Sequence, residues 1–119
     1  MQFGLPSVAG INSVAGRRSK RFRTPTTIPV GFQGNGLRFT GDLLDVSTTG
    51  LLLRTDQEIE LGALGKMALS IGHETCRVIG VAKRRIPGVG IAFEFSHMSP
   101  RDRELLRRLM LRIASAAAP

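Results

Sequence analysis

GVGIAFEFSHMSPRDRELLRRLM, Gly88 to Met110, passes from one kind of periodicity to another, and that change decides the fold. Val89–Phe95 is short, β-branched and aromatic, and follows the turn signal Ile86-Pro87-Gly88, so it reads as a strand. Beyond it Ser99 suits a helix N-cap, Pro100 the first helical position, and Asp102 completes a capping-box-like S-x-x-D. Leu105, Leu106, Leu109, Met110 and Ile113 then recur at helical spacing as one apolar stripe, expected to pack on the strands before it. Arg103, Glu104, Arg107, Arg108 and Arg112 take the other side, with Glu104 placed to pair with Arg108 one turn on. A helix is predicted over 99–114, with the closing SAAAP of 115–119 frayed. The helix arginines are a solvated face or, as the alternative, a partner surface.

Before this stretch, strand signals recur at short intervals. Thr26–Gln33 is one, with Pro29 pointing to an edge or a bulge. Gly34-Asn35-Gly36 is a hairpin turn, because Asn and Gly tolerate positive φ. Leu37–Val46 is a long strand whose alternation changes phase at Gly41–Asp42, and Ser47-Thr48-Thr49-Gly50 turns the chain into Leu51–Thr55. Lys66–Ile71 and Thr75–Arg84 flank Gly72-His73-Glu74 as a further hairpin. About six short strands over 26–95 followed by one helix describe a mainly β domain, a small antiparallel barrel or sandwich.

At 119 residues the chain holds one modest core. Its 42% hydrophobic and 22% charged residues are those of a globular protein. The net charge of +8 points to an anionic partner: nucleic acid, a nucleotide phosphate or an anionic membrane face. That charge is uneven. Residues 1–16 carry none and read as a mobile tail, whereas Arg17–Arg23, RRSKRFR, holds five cations in seven positions. The single cysteine, Cys76, excludes an internal disulfide and suits a reducing cytosol; in its apolar run it reads as a buried structural thiol. No apolar run is long enough to cross a bilayer, and the N-terminus does not have the form of a signal peptide, so a soluble cytoplasmic location without membrane insertion is expected.

Catalytic chemistry finds no foothold. One cysteine and two histidines, His73 and His97, both in or beside predicted turns, do not make a zinc site, and no metal is expected. There is no nucleophile elbow, dinucleotide fingerprint or P-loop. The chain is expected not to be an enzyme.

A binding constellation is present instead. In Asp45-Val46-Ser47-Thr48-Thr49-Gly50, Asp45 and Ser47 are two apart at a strand end, which directs both to one face. A carboxylate there offers two acceptors to the N–H donors of guanine's Watson–Crick edge, Ser47 can donate or accept beside it, and Gly50 gives the reversing chain freedom. The same residues also suit a Ser turn that merely closes a hairpin. Arg17 and Arg21 form R-x-x-x-R in the segment entering the first strand; their guanidinium forks match phosphate oxygens or the O6/N7 edge of guanine, and their planes stack on bases.

R-x-x-x-R before the first strand, D-x-S-x-x-G after the second, and the closing Gly88–Met110 stretch together resemble a PilZ domain, over roughly Arg17 to Ile113. The resemblance implies a six-stranded antiparallel β-barrel with a C-terminal α-helix, filling 17–114, and a bacterial receptor for cyclic di-GMP. Carried onto this chain, Arg17 and Arg21 would hold phosphates and stack on or hydrogen-bond guanine, with Arg18 a further contact. Asp45 and Ser47 would read a guanine edge, and Gly50 would shape their turn. The basic 17–23 segment would be disordered when free and fold over the ligand as a clamp. The domain nearly fills the chain, so its signal would pass to a protein effector in trans or through self-association. Two rivals stand beside this reading: a PilZ-like adaptor that binds no ligand, and a small basic nucleic-acid-binding barrel. The second is disfavoured by the absence of Trp and Tyr for base stacking.

Overall fold

The computed structural model describes residues 21–24 and 27–117. Among the described residues seven strands precede one helix: β1 Phe22–Arg23, β2 Pro29–Gly34, β3 Leu37–Val46, β4 Gly50–Arg54, β5 Leu64–Ile71, β6 Glu74–Ile86, β7 Gly90–His97 and α1 Pro100–Ala117. All pairings are antiparallel, and the ring β3–β2–β5–β6–β7–β4 returns to β3, which closes a six-stranded barrel. The expected mainly β fold, a six-stranded barrel with a C-terminal helix, is the observed one.

Two long strands make closure possible. The first half of β3 pairs with β2 and the second half with β4. Along β6, Glu74–Val81 pairs with β5 and Ile79–Ile86 with β7. The hairpins follow their turn residues. Asn35 and Gly36 both take positive φ, 53° and 75°, as a tight two-residue turn requires. Gly72, at φ 61°, opens the β5–β6 turn.

The phase change foreseen at Gly41–Asp42 lies further along. Gly41 stays in register opposite Val30, and the irregularity in the β3–β4 ladder falls between Leu43 and Asp45. Leu43 and Val46, three residues apart, are therefore both in the barrel core, at 1% and 0% exposure. One extra residue has flipped the alternation. Leu44 joins a small cluster with Leu52 and Ala92, separate from the main core. Within the barrel Phe32 stacks on Phe39 at 4.9 Å and meets Phe93 at 5.6 Å.

Asp102 anchors the helix. Ser99 Oγ accepts the Asp102 N–H at 3.1 Å and donates its own proton to Asp102 Oδ2 at 2.7 Å. The other carboxylate oxygen accepts the backbone N–H of Arg77 on β6 and Arg101 Nη1, both at 3.1 Å. Beneath it the buried Cys76 thiol donates to the Asp102 carbonyl at 3.3 Å. Burial, then the neighbouring Asp102 carboxylate, push that thiol up to about 11. The stripe Leu105, Leu106, Leu109, Met110 and Ile113 is buried in the barrel core, and the helix packs chiefly on β6 and β1.

One detail of the helix differs from expectation, and one adds to it, since the expected Glu104–Arg108 pair is present beside a tighter one. The helix continues through residue 117 rather than fraying from 115, as alanines with high intrinsic helix propensity allow. Glu104 grips Arg107 with both oxygens, at 3.0 and 2.6 Å, while Arg108 lies 3.9 Å from Glu104 and 3.7 Å from Glu74. The fork of Arg107 matches the carboxylate in two parallel bonds, a geometry Arg108 does not reach.

Burial raises the Asp102 carboxyl, but the Ser99 hydroxyl, the Arg77 N–H and the Arg101 and Arg77 charges together hold it below its ordinary 3.8. A lowered folded value means that its stabilising effect is complete above pH 3.8 and disappears as the pH falls through the folded value. Asp102→Ala is expected to cost about 1–3 kcal/mol at neutral pH, the loss of a cap and of charge-assisted bonds. Thermal unfolding across pH checks this: the gap between variant and parent should narrow in acid, and a gap independent of pH would contradict it.

Candidate functional site

The bulge turns Asp45 away from the barrel interior at the far end of β3. Phe22 and Arg23 continue along the side of β3 that β2 occupies, with Phe22 opposite Val46 and Arg23 opposite Asp45. Thr24 N–H donates to the Leu44 carbonyl at 3.1 Å, and Thr24 Oγ1 to the Leu43 carbonyl at 2.7 Å. Phe22 packs against the main core. This tethering brings Arg21 Nη1 within 2.7 Å of Asp45 Oδ1, with the two side chains 18% and 15% exposed. Arg21–Arg23 of the basic segment thus already lie on the barrel, a correction to the picture of a free clamp: the β3 backbone offers a ladder edge and the core a place for Phe22. Arg17 and Arg18 lie outside the described residues, as do the 1–16 tail and Thr26.

Asp45 is held in conflict. Burial pushes its carboxyl above the ordinary 3.8, against the Arg21 charge, the Arg21 hydrogen bond and the charge of Arg23. A desolvated acceptor of this kind gains from additional N–H donors.

Ser47 is 1% exposed, and its hydroxyl oxygen accepts the N–H groups of Thr49 at 3.1 Å and Gly50 at 3.2 Å. The Ser47 N–H donates to the Gly50 carbonyl at 2.9 Å, closing the hairpin around Thr48 and Thr49. Ser47 and Asp45 therefore do not stand side by side on one strand face: β3 ends at Val46, and Ser47 has entered the turn. The hydroxyl proton is left to the Thr49 hydroxyl, 3.2 Å away, or the Gly50 carbonyl, 3.4 Å away.

Gly50 is needed for a different reason from the one its position suggested. Its φ is not positive; instead a Cβ there would stand 2.2 Å from the Phe93 carbonyl oxygen of β7. The turn is pressed against the neighbouring strand, and the Phe95 N–H donates to the Thr49 carbonyl at 2.8 Å. The exposed Arg23, directly across from Asp45, is a cation that motif spacing passed over. No period in the sequence marks it, because its strand is only two residues long.

His73 and His97 are exposed, and among the described residues no group of His, Cys, Asp and Glu is placed to hold a metal. No described helix is long and apolar enough to cross a membrane.

Gly50→Ala is expected to cost about 3 kcal/mol or more, because the obstacle is backbone. That lowers the unfolding midpoint by about 10 °C or more for a domain of this size. A thermal melt within a degree or two of the parent would remove the steric account. Asp45→Asn, which relieves the buried charge, is expected to leave stability within about 1 kcal/mol of the parent or raise it. Denaturant unfolding measures this, and a large loss would show that the Arg21 pair outweighs burial.

Among curated proteins none matches the chain. Solved structures share its fold. The PilZ domain of YcgR from Escherichia coli with c-di-GMP aligns with TM-score 0.66 at 17% identity, covering 87% of this chain and 95% of that one. The K. pneumonia MrkH–c-di-GMP complex gives 0.68 at 21%, and the Bacillus subtilis inhibitor of motility MotI 0.70 at 15%, covering 87% and 88% of this chain. The chain spans only 54% of the length of each of those two. Residues 16–112 match the family described as PilZ domain, a span that holds the whole barrel, both motifs and most of the helix, and the chain is a member of the PilZ family.

Proposed function

We propose that the chain is a bacterial, cytoplasmic receptor for cyclic di-GMP, without catalytic activity or a metal, that signals through a protein effector in trans. One observation carries the reading. Arg21 and Asp45, from two motifs 24 residues apart, meet at 2.7 Å. In this reading the cation that would hold phosphate stands beside the carboxylate that would read guanine. YcgR and MrkH, which share the fold, have been solved with c-di-GMP, and this lends the ligand its identity.

In this reading the ligand exchanges an internal pair for two external ones. Arg21, with Arg17 and Arg18, takes phosphate oxygens or a guanine face. Asp45 accepts guanine N–H groups in place of, or beside, the Arg21 fork. Ser47 and Gly50 fix the turn that flanks the carboxylate, Ser47 by its bonds to two amides and Gly50 by its close approach to β7. Arg23 adds positive potential beside Asp45. Because Phe22 and Arg23 are laddered onto β3 and Arg21 is paired with Asp45, this part of the clamp meets the ligand preorganised, which lowers the ordering cost of binding.

Calorimetric titration with cyclic di-GMP, with cyclic di-AMP as control, is the test. Saturable binding selective for guanine is expected, weakened by Arg21→Ala or Asp45→Ala by about 30- to 1000-fold, or 2–4 kcal/mol. No binding by the parent protein would leave a ligand-free adaptor, and parent-like binding by both variants would move the site elsewhere.

The same titration has a pH signature. Guanine donors stabilise the ionised form of Asp45, so binding draws its raised carboxyl down and releases protons in mild acid. Affinity is expected to fall as the pH drops through that raised value, before an ordinary aspartate at 3.8 would protonate. In Asp45→Asn this component should vanish. Affinity in the parent that stays constant down to the onset of acid unfolding would contradict the role given to Asp45.

A further inference from the structure

Away from the candidate site the outer face of the barrel carries a groove of about 790 Å³ across β3, β2, β5 and β6. Its position follows from register. One row runs Thr40–Gly31–Ala68–Arg77 and the next Arg38–Gln33–Lys66–Ile79, and both rows alternate with the buried Phe32, Met67 and Val78. Both rows therefore point outward. The floor is small and apolar: Gly31, Ala68 and the half-buried Ile79. Arg38, Lys66 and Arg77 rise from it, all exposed, on strands that span about 14 Å. No ion pair among the described residues uses any of these three cations. The one carboxylate at the rim, Asp102, is taken up by Ser99, Arg101 and the Arg77 amide. Arg38 and Asp45 stand seven residues apart on β3, about 23 Å, so the groove is distinct from the dinucleotide site.

We propose that this groove docks an acidic, partly apolar segment of a partner protein. Charge complementarity selects the occupant. A second copy of this chain carries +8 overall, which opposes its approach even though its 56–61 stretch exposes Asp56, Glu58 and Glu60, and the chain's own residues 1–16 have no charged side chain to offer the cations. A nucleic-acid backbone would use the cations but leave the floor of Ala68 and Ile79 uncovered. The groove offers little aromatic face for base stacking: Phe32 and Phe39 stack on each other, which leaves the exposed His97 at its rim. A peptide with glutamate or aspartate flanking a leucine-sized side chain satisfies both floor and rim. The inference stands apart from the dinucleotide reading and does not require it.

The test is fluorescence anisotropy on the full chain with three labelled probes: a decapeptide of glutamates carrying two leucines, its lysine counterpart, and a ten-nucleotide oligothymidylate. The acidic peptide is expected to bind and the lysine peptide not. The Arg38→Ala/Lys66→Ala double variant should weaken binding about five- to twentyfold, as two rim charges would. Ile79→Thr, which leaves the charge intact, should weaken it about threefold through the floor alone. Arg112→Ala, on the exposed face of α1, should change it less than about twofold. Thermal melts confirm that each variant is folded, and cyclic di-GMP titration of the double variant, expected to match the parent's, keeps the two sites separate. Three results would each overturn the proposal: no binding of the acidic peptide, an equal loss in Arg112→Ala, or oligothymidylate binding that exceeds the peptide's and is lost in the double variant.

Discussion

A sheet that closes on itself must have strands long enough to be shared between neighbours, and here that requirement falls on β3 and β6. Each spends one end on one partner and the other end on the next. Sharing imposes curvature, and the ladder releases it at bulges: one in β3 at Leu44, one in β6 at Lys83 and one in β7 at Ser96. The bulge in β3 does more than bend a strand. It returns Val46 to the core and frees Asp45 from it, so the condition for closure also sets out the carboxylate of the candidate site.

The same end of β3 supplies the edge on which Phe22 and Arg23 settle. The dependence in space runs against the order in sequence: the closed barrel and its bulge set Asp45 at the end of β3, and Phe22 and Arg23 lie against that end. Arg21 and Arg23 are held on a protein of net charge +8 because the residue they meet, Asp45, is acidic. The remaining positive charge is spread over the helix face, where Glu104 and Glu74 partly offset it, the end of β6, where Glu94 and Glu58 pair with Lys83 and Arg85, and the outer groove, whose rim holds the single carboxylate Asp102.

Local chemistry was legible in the sequence. Asn35-Gly36, Ser99-x-x-Asp102 and the stripe from Leu105 to Ile113 act through neighbours a few residues away, and each appears in the structure as its spacing implies. What was not legible depends on distant strands. The run Leu43-Leu44-Asp45-Val46 has no period that reveals a bulge. The demand for glycine at position 50 comes from Phe93, forty-three residues later, and has nothing to do with the turn that seemed to explain it. Ser47 could be read as a ligand donor or as a turn closer, and its buried hydroxyl, engaged by two amides, favours the turn in this arrangement. Arg23 was hidden because a two-residue strand of Phe and Arg carries no strand signature. It is visible only once Asp45 is known to lie opposite.

The placement of Cys76 gives the molecule an internal gauge. Its sulfur lies under the first turn of α1, touching the Asp102 carbonyl, and the chain has no other cysteine. Any motion that lifts the start of the helix from β6 uncovers that sulfur, and global unfolding uncovers it as well. Thiol reactivity in the native protein therefore counts helix detachments one at a time. If a partner or a ligand communicates through α1, the change would be written in the rate at which a single buried sulfur meets solvent.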